Sequence, residues 1–246
     1  MKFAPVALAL LMASPAAAFD LAKMSDAERT AFRAEVRAYL LENPEVLAEA
    51  IDVLQQRQAD EAAKGDIALV KANAEDLFND GYSFVGGNPE GNITVVEFID
   101  YRCGYCRKAH AEVADLVQSD GDIRYIVKEF PILGDDSVVA SRFAIAALQT
   151  LGRDAYEKIN AGFYESFRGE VTPDTLLAFA KDLGIDGPAI LAKMDAPEVT
   201  KVIEQNHLLA QRMQISGTPT FVMGDQMLRG YAPLDHMRQI VAAERG

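Results

Sequence analysis

Two cysteines three positions apart, in Cys103-Gly104-Tyr105-Cys106, are the residues whose type and spacing point most directly to chemistry. They are the only cysteines in a chain of 246 residues. A structural staple closing so short a loop contributes little, so the pair is better explained by reactivity than by stability. Disulfide exchange needs one thiolate to attack and a second thiol close enough to resolve the mixed disulfide, and a C-x-x-C at the start of a helix supplies both. Cys103 at the helix N-terminus would face unpaired N–H groups and the positive end of the dipole, which lowers its pKa. Cys106 would lie one turn further in and less exposed. Cys103 is then the expected nucleophile and Cys106 the resolving thiol.

The same spacing also occurs in haem attachment and in zinc sites. Arg107, not histidine, follows Cys106, so the haem reading fails. For zinc the only nearby help is His110, and there is no second cysteine pair to close a four-ligand site. No resident metal is therefore expected. A soft ion such as Cu(I) held by the two thiolates is the competing class of reading. His110, His207 and His236 read as surface or packing residues.

Two further features stand at a distance from the pair. Glu97 interrupts an apolar run six residues before Cys103, and a buried carboxylate is costly unless used. Beneath the cysteines it could accept the proton Cys106 must lose during resolution, with burial raising its pKa toward a useful range. The alternative is a side chain turned to solvent from a half-exposed strand. Gly217-Thr218-Pro219-Thr220 is the other feature, because proline at a strand's first residue leaves a sheet edge available. With a cis bond, Thr218 would present backbone groups near Cys103 and bind an unfolded substrate as an added strand. A strand-leading trans proline is the alternative.

These residues need elements to hold them. Ile93-Thr94-Val95-Val96-Glu97-Phe98-Ile99 reads as a buried strand, Tyr105 to about Val117 as a helix, and Ile123 to Phe130 as a second strand, which together make a β-α-β unit. Ser137 to about Met213 reads as an inserted helical block, with a start at Thr172-Pro173-Asp174 and a stop at Leu183-Gly184. Thr218–Met223 and Gln226–Arg229 form a hairpin around Gly224-Asp225, and Pro233 opens a last helix. Gly81 to Gly91 is a glycine-rich lead-in to this region.

Before it, residues 20–80 read as helical. Ser25-Asp26-Ala27-Glu28 is a capping-box pattern, and Asn43 and Pro44 suit the start of a second helix carrying a narrow stripe of Leu47, Ile51 and Leu54. Gly65 interrupts that pattern. The stripe either packs on the main domain or meets its copy in another chain as a stalk, and its narrowness favours the stalk.

Half the residues are hydrophobic, enough for one sizeable core with an appendage. Lys2, the short apolar run Val6–Met12 and Ala16-Ala17-Ala18 read as a removable secretory signal over residues 1–18. The run is too short to span a bilayer. Its removal takes the net charge from −13 to −14, so nucleic acid is not an expected partner. The expected organisation is a signal (1–18), an N-terminal helical oligomerisation segment (19–80), and a catalytic domain (81–246) with a helical insertion at about 137–213.

The stretch Val96 to Cys106, the helical insertion after the second strand, and Ile215-Ser216-Gly217-Thr218-Pro219-Thr220-Phe221 together resemble the DsbA family of thioredoxin-fold proteins over roughly residues 85–244. The resemblance implies an α/β thioredoxin-like fold with a helical insertion, a nucleophilic Cys103, a resolving Cys106, a buried Glu97 and a cis bond before Pro219. It also implies substrate contacts at Gly104, Tyr105, Thr218 and Pro219. No cofactor beyond the redox-active disulfide is implied. Expected partners are unfolded or misoxidised exported proteins and a membrane redox protein that resets the disulfide, in the periplasm. Leu41-Glu42-Asn43-Pro44-Glu45-Val46-Leu47 is similar to the oligomerising extension of the ScsC and Com1-like branch, which implies a homo-oligomer built on an N-terminal helical stalk. DsbA-type oxidases commonly carry Pro-His between the cysteines. Gly104-Tyr105 offers no such cation, so a milder oxidant is expected. Cys-Gly-Tyr-Cys with Thr before the proline resembles the DsbC-type isomerases, which makes isomerase or reductase activity the rival to oxidase activity.

Overall fold

The computed structural model describes residues 24–246, so the expected signal segment lies outside the described residues. The chain divides into two compact units, with the boundary between Gln58 and Ala59.

Two helices begin the described chain. Helix α1 (Asp26–Glu42) starts with the expected capping box, in which the Ser25 side chain and Glu28 satisfy each other's backbone N–H groups. Asn43 does not cap the next helix. Its side-chain amide instead donates to the Tyr39 carbonyl at 2.9 Å, so it closes the end of α1. Helix α2 (Glu45–Ala72) then runs through Gly65 without a break, because one glycine costs a 28-residue helix only about 1 kcal/mol. No residue of α1 is buried, and Leu47, Ile51 and Leu54 on α2 are each at least half exposed.

The second unit is built on a sheet. It begins with the last turns of α2 and a short helix α3 (Ala74–Phe78). Residues 59–80, grouped with the N-terminal segment in the sequence reading, belong to this unit. Val70 and Leu77 are the reason: both are buried in a cluster with Val96, Phe98, Ile126, Met213 and Val222. Buried Lys128 adds a polar tie, donating to the Asp76 carbonyl at 2.7 Å and pairing with Asp80.

Five strands follow: β1 (Phe84–Gly87), β2 (Ile93–Ile99), β3 (Ile123–Glu129), β4 (Thr220–Met223) and β5 (Gln226–Arg229). They lie in the order β1-β3-β2-β4-β5. Strands β2 and β3 are parallel and joined by helix α4 (Gly104–Asp120), as the β-α-β reading requires, while the other pairings are antiparallel. Strand β2 is central, hydrogen-bonded on both sides, which explains its near-continuous apolar run. The edge strand β1 lies within the stretch expected from the sequence as a glycine-rich lead-in. Gly87 there adopts φ +62°, and a Cβ at that position would collide with the Ile123 carbonyl.

Between β3 and β4 lies the helical insertion: α5 (Asp135–Leu151), α6 (Arg153–Glu165), α7 (Pro173–Asp182), α8 (Gly187–Lys193) and α9 (Pro197–Arg212). Thr172 caps α7 and Leu183 ends it, at the expected positions. A cluster centred on Phe143, Tyr156, Phe163 and Phe179 ties the insertion to Ile99, Tyr101 and both cysteines. Helix α10 (Leu234–Arg245) closes the chain against α4 and the sheet face of Ile93, Val95 and Phe221 through Met237 and Val241.

Candidate active site

The apolar strand β2 ends at Ile99, and the next four residues turn the chain into α4. Asp100 fixes that turn. Its wholly buried carboxylate accepts from the backbone N–H of Arg102 at 2.8 Å, Ile132 at 2.8 Å and Leu133 at 3.0 Å, and from the Ser137 hydroxyl at 2.7 Å. Its carbonyl accepts from the Cys103 N–H at 3.1 Å. Cys103 is therefore held as the N-cap of α4, with extended φ −77° and ψ 119°.

Both cysteines are free thiols. Cys103 is 8% exposed and Cys106, one turn deeper, 1%. The Cys103 thiol is pulled down to about 5, first by a hydrogen bond from the Cys106 thiol, against burial, and then by the Thr218 side chain and the backbone N–H groups of Cys106 and Tyr105. These amides are among the donors that a helix start leaves unpaired. Cys106 moves the opposite way. Its thiol is raised far above the ordinary value by the hydrogen bond it gives Cys103, by burial, and by the charge of Glu97.

Glu97 lies on the central strand opposite Val127 and Phe221 and is 3% exposed, not turned to solvent. Burial raises its carboxyl to about 7, against the lowering effect of a hydrogen bond donated by the Tyr125 hydroxyl. A group titrating there is poised to take or give a proton near neutral pH. Tyr125 also lines a cavity of about 630 Å³ with His110, Tyr156 and Asn160.

The remaining sequence-expected residues converge on the same place. The Thr218–Pro219 bond is cis, and the Cys103 Sγ donates to the Thr218 carbonyl at 3.2 Å. Pro219 is buried at the head of β4, and the Thr220 hydroxyl braces the turn by donating to the Gly217 carbonyl at 2.8 Å. Gly104 and Tyr105 are exposed, and the Tyr105 ring stacks near Tyr231, with centroids 6.4 Å apart. His110 packs its ring on Tyr164 and lies 3.6 Å from Glu165. Among the described residues, no group of three or more His, Cys, Asp or Glu side chains is gathered as a metal site would need.

Sequence reasoning did not single out Asp100 or Tyr125. Three of the four donors to the Asp100 carboxylate come from residues 132–137, which no local pattern connects to it. Tyr125 was read only as a strand residue, and the signal available was its place two residues before Val127, the parallel partner of Glu97.

A family model described as Thioredoxin matches residues 79–243. The chain belongs to the thioredoxin family. A second family model, described as Copper resistance protein ScsC N-terminal domain, matches residues 28–61. Among solved structures, a thioredoxin-like oxidoreductase from Silicibacter pomeroyi DSS-3 is 40% identical, with a TM-score of 0.65, over 70% of this chain and 96% of that one. The thiol–disulfide exchange protein alpha-DsbA2 from Wolbachia pipientis is 26% identical, with a TM-score of 0.68, over 73% of this chain and 96% of that one. A curated relative of another kind is the Na(+)/H(+) antiporter NhaA of Herminiimonas arsenicoxydans, 26% identical over 162 residues. That match takes in 65% of this chain but only 25% of the antiporter.

Proposed function

We propose that this chain is a periplasmic thiol–disulfide oxidoreductase that exchanges disulfides in exported proteins through Cys103-Gly104-Tyr105-Cys106. The observation that carries the reading is a thiol held at about 5 on a helix start, with a protonated partner thiol and a carboxyl titrating near 7 behind it. The names of the solved relatives, an oxidoreductase and a thiol–disulfide exchange protein, point the same way. Export rests on the signal pattern of residues 1–18.

In the reductive half-reaction the Cys103 thiolate attacks one sulfur of a substrate disulfide. A Cys103–substrate disulfide forms and the other substrate sulfur leaves as a thiolate. Cys106 then gives its proton to ionised Glu97 and attacks the Cys103 sulfur, and the second substrate sulfur leaves. The Cys103–Cys106 disulfide has formed and the substrate has gained two electrons. The oxidase direction runs these steps in reverse on a substrate dithiol, and a membrane redox protein that accepts the two electrons resets the disulfide. Exposed Gly104 and Tyr105, with half-buried Thr218 set by the buried Pro219, form the rim where a substrate chain would lie, and the Thr218 backbone would serve strand-like pairing.

The test uses Cys103→Ser and Cys106→Ala with a disulfide-bonded peptide. The first variant is expected to lose exchange, and the second to stop at a mixed disulfide visible by mass. Undiminished exchange by Cys103→Ser would remove the reading.

Isomerase action is the second reading, favoured by the exposed stripe of Leu47, Ile51 and Leu54 and by the match of residues 28–61 to the ScsC N-terminal domain. A homo-oligomer formed through that stripe would hold several cysteine pairs together. Leu47→Glu with Ile51→Glu should then break the oligomer in sedimentation and reduce refolding of scrambled ribonuclease more than oxidation of reduced ribonuclease. Equal effects on both assays would count against it.

A further inference from the structure

Beside Cys103 three arginines crowd one short stretch of backbone. Arg102 precedes the nucleophile, Arg107 follows it by one helical turn, and Arg168 comes from the loop between α6 and α7. Arg102 Nη1 donates to the Gly169 carbonyl at 2.8 Å, and Arg107 Nη1 donates to the Tyr164 carbonyl. Arg168 donates to the carbonyls of Phe167 at 2.7 Å and Glu165 at 2.9 Å, and reaches that of Tyr164 at 3.5 Å. All three guanidinium groups are thus anchored on residues 164–169.

Every one of those acceptors is a neutral carbonyl. It orients the fork without discharging it, and a guanidinium has five N–H donors, more than the one to three that each spends on these carbonyls. Asp136, 3.4 Å from Arg102, is the only carboxylate within ion-pair distance of any of the three among the described residues. Glu165, the last residue of α6, faces His110 instead. Arg107 is half-buried and feels its neighbours: burial and then the charges of Arg168 and Arg102 lower its pKa. Arg102 and Arg168 are exposed. Like charges held together at a cost, next to a nucleophile, in a chain of net charge −13, call for an anionic partner.

We propose that Arg102, Arg107 and Arg168 form a carboxylate-binding rim of the exchange site, selecting protein substrates whose reacting cysteine is flanked by Asp or Glu. The proposal rests on the exchange reading above and adds the substrate class to it. Pre-oriented guanidinium forks suit planar carboxylates, which they bind in bidentate fashion. The partner is a protein segment because the rim borders the exposed Gly104 and Tyr105, beside which a substrate chain would extend.

The test uses the full mature protein and three disulfide-bonded peptides, identical except that two glutamates, two glutamines or two lysines flank the cysteine. The rate of exchange with reduced protein is measured at low and at high ionic strength. The glutamate peptide is expected to react about tenfold faster than the lysine peptide at low salt, with the gap closing in concentrated salt. The net negative charge of the whole chain would by itself produce the opposite order. In Arg102→Gln with Arg168→Gln, the glutamate-to-lysine ratio should fall to within about twofold of unity or invert. Arg168→Lys, which keeps the charge, should retain most of the ratio.

Equal rates on all three peptides, or a lysine preference in the wild type, would overturn the proposal while leaving exchange intact. So would a glutamate preference that salt does not shrink, a result that needs no variant, or one undiminished in the double variant. Failure of every peptide to exchange would instead sink the exchange reading, and this proposal with it.

Discussion

Replacing Glu97 by glutamine keeps the size of the side chain and an acceptor for the Tyr125 hydroxyl while removing the charge. Burial puts the Glu97 carboxyl at about 7 in place of 4.5, so the fold prefers it protonated. Its contribution to stability is therefore full below about pH 4.5 and is lost as pH rises through 7. At ~1.4 kcal/mol for each pH unit, the wild type forfeits about 3 kcal/mol by about pH 8 on this account. Glu97→Gln should match the wild type near pH 4.5 and exceed it by about 3 kcal/mol near pH 8.

Other groups titrate over the same range. Glu129, likewise raised to about 7, adds a second fall with the same sign, whereas Cys103, lowered to about 5, contributes stability that grows as pH rises. Both chains carry these groups, so the variant-minus-wild-type difference cancels Glu129 and leaves of Cys103 only its charge coupling to Glu97, the smallest of the causes that shift that carboxyl. Urea unfolding under reducing conditions, repeated from about pH 5 to pH 8, gives that difference directly. It should climb with pH and level off above 7. A flat difference curve would mean that Glu97 is already ionised or hydrated when folded, and the proton-acceptor role derived from its burial would go with it.

Cys106→Ala removes the hydrogen bond that does most to hold the Cys103 thiolate, so the Cys103 titration, followed by thiolate absorbance or alkylation rate, should move upward from about 5; an unchanged midpoint would assign the stabilisation to the helix amides and Thr218 alone. Asp80→Asn leaves the fully buried Lys128 ammonium without its counter-charge and should destabilise the protein by ~3–5 kcal/mol in chemical denaturation. A loss below about 1 kcal/mol would show that Asp80 does not stabilise the charged lysine.

What the sequence could convey followed from how local each signal was. The strand Ile93–Ile99, the helix behind the cysteines and the Thr172 cap are written in neighbouring residues, and they appear where the pattern put them. Glu97 stood out because a carboxylate in an apolar run is expensive. Strand β1 did not, since two of its four residues are glycines and its pairing with β3 is long-range. Asn43 suited both the start of one helix and the end of another, and only the hydrogen bond to Tyr39 decides between them. The polar braces were hidden for the same reason. Asp100 depends on residues 132–137 for three of its four donors, and Glu129 accepts from Tyr101 in the turn after β2, Ser141 on α5 and Tyr156 on α6. No window of sequence holds either set.

The direction of electron flow is where these two kinds of signal bear differently. Read locally, Gly104-Tyr105 places no cation beside Cys103, which argues for a mild oxidant. The thiolate is nonetheless held at about 5 by groups outside the dipeptide's side chains: the Cys106 thiol, the Thr218 side chain and the amides of Tyr105 and Cys106. The first of these donors exists only in the reduced protein, because closing the Cys103–Cys106 disulfide consumes the Cys106 S–H. Its stabilisation therefore accrues to the reduced form alone and pulls electrons toward this site. The same hydrogen bond raises the Cys106 pKa in the reduced protein and keeps that thiol protonated there. That bond is gone once Cys103 is joined to a substrate sulfur, so it stabilises the reduced site without slowing resolution, at which stage burial is what holds the proton on Cys106.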